Sequence, residues 1–181
     1  MRSYGICAGH QRAFPGAIYS DLEEHRVCLD VVYSAKNVLI DCGHRVIEPV
    51  AAYDEKRDRD DITHKIQYFN RDDLDCVVEV HLDALPSNTD VEGFHIIHFE
   101  GSEGGLDLAN TIGGVFRSRS FVQARKPHPM NLPIVRETKA WTVLVECGFL
   151  THEETAKKCK KLSYREKVGI ALAEGFMQFN R

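Results

Sequence analysis

Cys76-Val77-Val78-Glu79-Val80-His81-Leu82-Asp83 is the stretch on which the reading of this chain turns. Cys76 to Val80 is a short apolar run interrupted only by Glu79, the pattern of a buried strand. It ends in His81-Leu82-Asp83, and the carboxyl end of a strand is where an open α/β sheet receives its ligands. A second stretch has the same grammar: Trp141 to Val145 reads as a strand leading into Glu146. A third, Tyr4 to Ala8, reads as a first strand ending in Gly9-His10.

Between these segments lie helix-like ones. Val27, Val31, Val32, Ala35, Val38 and Leu39 recur at helical spacing from Glu23 to Cys42, and Gly43 is placed to end that helix. Arg45 to Val50 and Phe94 to Phe99 are further strand candidates. Asp54 to Asn70 carries Ile62, Ile66 and Phe69 at helical intervals and reads as a solvated helix, with the run Asp54 to Asp61 as its solvated face. Gly104 to Arg117 reads as a helix preceded by a turn, and Ser120 to Thr138, with three prolines, as an irregular loop. Thr151 is placed to cap a helix with Glu154 in a capping box, and a last helix spans Tyr164 to Phe179. Alternating strands and helices predict an α/β fold in a single domain spanning 1–181.

The 181 residues suit one such domain, and a hydrophobic fraction of 43% is enough for a core without staples. A net charge of -4 gives no basic field for nucleic acid. No segment is long and apolar enough to span a membrane, and Met1 to Gly9 is not a secretory signal. The six cysteines contain no C-x-x-C pair, which excludes zinc-ribbon and thioredoxin-like readings and predicts mostly reduced, buried thiols.

His10, His81 and Glu146 thus share the carboxyl edge of one predicted sheet. Glu24 joins them from the start of the first long helix, where first-turn N–H groups favour a carboxylate; its neighbour Glu23 is an alternative. Two histidines and a glutamate form a recognised catalytic zinc set, with a second glutamate free to act as base. Seven other histidines invite a second site. His95 and His98 fall on opposite faces of a strand and read as structural. His25, His44, His64, His128 and His152 sit in polar contexts and read as exposed. For Glu146, the bland reading is a buried carboxylate paired with Arg136.

The ordered motifs Ala8-Gly9-His10, Gly16-Ala17, Glu24, Val80-His81-Leu82-Asp83-Ala84, Gly93-Phe94 and Leu144-Val145-Glu146-Cys147-Gly148-Phe149-Leu150 go further. Together they resemble the zinc-dependent N-acetylmuramoyl-L-alanine amidases, a family that includes phage endolysins and the wall amidases of sporulation and cell division. The resemblance implies a central mixed, mostly parallel sheet flanked by helices, and one zinc ion held by His10, Glu24 and His81, with Glu146 as the catalytic residue. It implies peptidoglycan as substrate, cleaved between the muramoyl lactyl group and L-alanine. Relatives often have Asp-Pro before the Gly-His pair and an Asn where Cys28 stands; neither departure removes a ligand. Cell-wall-binding repeats are absent from the chain.

Without an export signal, the expectation is a monomeric enzyme that stays cytoplasmic until released to the wall, as a phage-type lysin is. Three other readings compete. One is a zinc amidohydrolase or carboxypeptidase on small N-acyl substrates, using Arg125 or Arg136 for a free carboxylate. Another is a thiol hydrolase using Cys147 or Cys7 with His10 as base. The last is an inactive wall-binding module.

Overall fold

In the computed structural model, which describes residues 1–49, 58–119 and 123–179, six strands form one sheet. In chain order they are β1 (Ser3–Ala8), β4 (Arg45–Ile47), β5 (Cys76–Asp83), β6 (His95–His98), β7 (His128–Pro129) and β8 (Trp141–Phe149). A small antiparallel pair, β2 (Ile18–Tyr19) and β3 (Leu22–Glu23), stands apart from it. The helices are α1 (Glu24–Asp41), α2 (Asp58–Phe69), α3 (Glu103–Ser118), α4 (Pro133–Glu137), α5 (Glu153–Cys159) and α6 (Leu162–Gln178).

The strand order is β4-β1-β5-β8-β6-β7. All neighbouring pairs are parallel except β6 with β8. From β1 the chain passes outward to β4, then returns to β5 on the other side of β1. The crevice between the carboxyl ends of β1 and β5 is therefore a topological switch point, where such sheets bind ligands. The expected mixed, mostly parallel sheet flanked by helices is what the chain forms.

One face of the sheet is apolar almost throughout. Val78, Val80 and Leu82 of β5 and Val143, Val145 and Cys147 of β8 point there, in one cluster with Val27, Val31, Val32, Ala35 and Leu39 of α1. Leu108, Ile112 and Phe116 of α3 and Leu172 and Phe176 of α6 complete it. Each such side chain contributes roughly 1.5–3 kcal/mol on burial. Phe116 stacks on Phe94 with ring centroids 3.9 Å apart. Gly169 of α6 lies so close to α1 that a Cβ would sit 2.5 Å from the Val31 carbonyl oxygen. The opposite face carries a smaller cluster, Ile66 and Phe69 of α2, Ile134 and Val135 of α4, and Val77, Ile97 and Leu144 of the sheet.

The periodic segments fold as read, and Gly43 follows α1 with φ 79°. The differences fall elsewhere. Within the segment expected to be an irregular loop, Pro133 opens α4, its fixed φ suited to a first helical turn. β7 pairs with β6 in the same segment. Thr151 does not cap α5; its hydroxyl accepts the Leu85 N–H at 3.0 Å, and the His152 side chain takes the cap by accepting from the Thr155 N–H. Of the expected solvated run, positions 54–57 lie outside the described residues, as does Val50, but Asp61 is buried against Lys65. All six cysteines are free, and all but Cys42 are buried.

Candidate metal centre and its carboxylates

His10 lies one residue beyond the end of β1, after Gly9, with a backbone φ of 58° that non-glycine residues rarely adopt. Such conformations persist where surrounding structure enforces them, and they cluster at functional sites. Here the Gly9 N–H is fixed to the Val80 carbonyl at 2.7 Å, and the Gly9 carbonyl to His25 Nδ1 at 2.7 Å. His25 is accordingly buried and not exposed as its polar neighbours suggested, and His44, His64, His128 and His152 are half-buried.

Glu24 is the first residue of α1, while Glu23 is only its flanking residue. The Glu24 carboxylate is bracketed on both oxygens. Oε2 accepts the Ala17 N–H at 2.9 Å and lies 3.2 Å from His10 Nε2; Oε1 accepts the Leu82 N–H at 3.1 Å and lies 2.8 Å from His81 Nδ1. The two imidazoles meet edge to face, with centroids 5.0 Å apart. Burial opposes ionisation of Glu24, but the hydrogen bonds to His10 and His81 outweigh it and hold the carboxyl well below the usual range. Burial likewise opposes a charged His81, yet the Glu79 charge and the hydrogen bonds to Glu24 and Glu79 push it up to about 10.

One donor atom from each of His10, Glu24 and His81 lies within 4.8 Å of the others. Two glycines make that convergence possible. A Cβ on Gly9 would fall 2.1 Å from the His81 ring, and one on Gly16 would fall 2.4 Å from both Glu24 Oε2 and the His10 ring. Two imidazole nitrogens and a carboxylate suit zinc in number and kind, so the donor set fits the ion that the resemblance implies.

Glu146 sits opposite His81 in the β5–β8 register and opposite His95 in the β8–β6 register, which puts all three on one face of the sheet. Its strand does not end there, and neither does that of His81: β5 runs on to Asp83 and β8 to Phe149. Arg136 is not its partner, since that guanidinium holds Asn131 Oδ1 and Glu137 Oε1. Val145, the residue before it, points to the other face of the strand and packs in the apolar cluster. Among the described residues the buried Oε2 of Glu146 has no hydrogen-bond partner. Burial pushes Glu146 up to about 8, opposed by the positive charge of His81. A carboxyl tuned in this way toward neutral pH is suited to exchanging protons.

His95 beside it is also buried, which pushes it down to about 4, so its ring is neutral at pH 7. The thiols are unsuited to attack. Burial pushes Cys147 and Cys7 up, away from the reactive thiolate, and Cys147 points into the core opposite Glu146.

A feature that sequence reasoning missed lies behind His81. Glu79, two residues earlier on the same face, approaches His81 Nε2 at 3.4 Å and is held by Lys65 Nζ at 3.0 Å. Lys65 also pairs with Asp61 at 2.6 Å. The signals were present: an acid inside an apolar strand, and a Lys four residues after an Asp on a helix.

Comparison with known proteins places this geometry. A curated relative, the germination-specific N-acetylmuramoyl-L-alanine amidase of Bacillus subtilis, is 22% identical over 185 residues, covering 94% of this chain and 76% of its own. The crystal structure of an N-acetylmuramoyl-L-alanine amidase from Clostridium difficile superposes with a TM-score of 0.88 at 21% identity, over 98% of this chain and 96% of that one. The catalytic domain of an endolysin targeting Clostridia difficile gives 0.83 at 22%, over 100% and 99%. These likenesses establish the shared fold. The pattern of the family described as N-acetylmuramoyl-L-alanine amidase matches residues 5–178, nearly the full length of the chain. On that match the chain belongs to the N-acetylmuramoyl-L-alanine amidase family and is a peptidoglycan-cleaving enzyme.

Proposed function

We propose that the enzyme is zinc-dependent, that His10, Glu24 and His81 hold one zinc ion, and that Glu146 is the catalytic residue. The observation that carries this reading is the convergence of three donor atoms within 4.8 Å, near a carboxyl whose buried Oε2 has no hydrogen-bond partner among the described residues. A bound zinc ion supplies Lewis-acid polarisation of a carbonyl and acidifies water.

The chain's own groups do the rest. Glu146 takes a proton as a water oxygen bonds to the lactyl carbonyl carbon. It returns that proton to the alanine nitrogen as the C–N bond breaks, without which an amide nitrogen is a poor leaving group. Neutral His95 stands beside it without competing for the proton. The products are a muramoyl carboxylate and a stem peptide with a free L-alanine amino group.

The whole chain, 1–181, is on this reading one catalytic domain, acting as a monomer. Its biological role on this reading is lysis; a role in wall remodelling would leave the chemistry untouched. The same donor set serves a carboxypeptidase less well. Arg136 is engaged with Asn131 and Glu137, and Arg125 donates to the Glu92 carbonyl and lies over the Phe149 ring.

The assignment of roles is tested by metal content. Glu24→Ala is expected to lose zinc on dialysis, whereas Glu146→Ala keeps stoichiometric zinc and loses turnover. The reverse pattern exchanges the two roles.

A further inference from the structure

Glu79, Lys65 and Asp61 form a buried charged chain that ends on the metal centre. Their side chains are 3%, 6% and 10% exposed, on a sheet face otherwise packed with Ile66, Phe69, Val77 and Leu144. Burying three ionised groups is costly, and replacing such a cluster by apolar residues commonly costs nothing in stability. Stability alone therefore does not account for it. One member, Glu79, reaches the site: its Oε2 is 3.4 Å from His81 Nε2, while His81 Nδ1 faces Glu24.

An imidazole has two nitrogens, and a hydrogen bond at one fixes which of them is free to ligate. Resting on the zinc reading above, we infer that Glu79 is a positioning residue. It accepts the His81 Nε2 proton and so commits Nδ1 to the metal. Lys65 holds Glu79 in place and cancels part of its charge, and Asp61 fixes Lys65. With two carboxylates and one ammonium, the chain keeps one net negative charge behind the ligand. That charge raises the ligand's basicity toward a divalent cation. Metal-bound histidines commonly donate their second N–H to a carboxylate in this way, and removing such a partner typically weakens metal affinity about 10–100-fold.

The test is zinc affinity, measured by competition with a chromogenic chelator on wild type, Glu79→Gln and Glu24→Ala. It is read beside ¹⁵N–¹H imidazole spectra of the zinc-loaded wild type. Glu79→Gln preserves shape and leaves Lys65 paired with Asp61. The expected result is an about 10–100-fold weaker zinc affinity. In the wild type, His81 should show a metal-bound Nδ1 and a strongly deshielded Nε2 proton. Unchanged affinity in Glu79→Gln overturns the inference, as does an Nε2-bound zinc in the wild type. The spectrum decides even if the variant fails to fold. An active wild type that binds no zinc defeats the metal reading itself, a distinguishable outcome.

Discussion

The two faces of β5 and β8 are built for different tasks. On one side Val78, Val80, Leu82, Val143 and Val145 pack in an apolar cluster with side chains of α1, α3 and α6. On the other, the intervening residues Glu79, His81 and Glu146 present ionisable groups, two of them joined to Lys65 or Glu24. The period of two along a strand lets the same few residues supply stability on one face and chemistry on the other. The lesson is a division of labour: substitutions on the first face should act on folding, and those on the second on turnover or metal.

The largest expected effect lies on the polar face. Glu146→Gln should lower kcat about 10²–10⁴-fold, the usual worth of a positioned proton-transfer group, with zinc content unchanged. Steady-state release of stem peptides measures it, and a variant retaining most of its turnover would break the comparison.

On the apolar face, Phe116→Ala should cost about 3–5 kcal/mol of stability through the lost stack on Phe94 and the cavity left behind. Its kcat per folded molecule should be little altered. Denaturant unfolding and active-site titration together separate the two quantities.

A smaller effect sharpens the contrast by its sign. The folded protein holds Glu146 at about 8, against an ordinary carboxyl near 4.5. In the metal-free protein this group's contribution is fully present below about 4.5 and is lost as pH rises to about 8. Each tenfold change in proton affinity is worth ~1.4 kcal/mol. Glu146→Gln should therefore stabilise metal-free protein at pH 9 by a few kcal/mol at most, and hardly at all at pH 4. Thermal melts at the two pH values measure it; a variant less stable at pH 9 would show that the buried carboxylate is well solvated.

The smallest effect is expected at Cys147, which sits beside Glu146 in sequence but on the apolar face. Cys147→Ala should leave turnover close to wild type, and a thiol-blocking reagent should not inhibit. Strong inhibition would revive the thiol reading.

What the sequence made legible follows from the same alternation. Strands with apolar runs and a helix with six apolar positions in register carry their own period, so β1, β5, β8 and α1 were readable. The four site residues were reachable because they stand at or near strand ends and helix starts, and because their motifs resemble a known family. What was hidden depends on partners far along the chain. The antiparallel direction of β6 is set by pairing with β8, and the two-residue β7 has too few residues to show a period. His25 is buried because its ring meets the Gly9 carbonyl across a turn. Lys65 reads as solvated until Glu79, on another element, is seen to neutralise it.

The most direct test of the central claim is a mass spectrum of the soluble products from purified peptidoglycan, with metal-stripped and zinc-restored enzyme side by side. The account predicts stem peptides beginning at a free L-alanine amino group, released only when zinc is restored. Equal release by the metal-stripped enzyme, or fragments cut at any other bond, would contradict it.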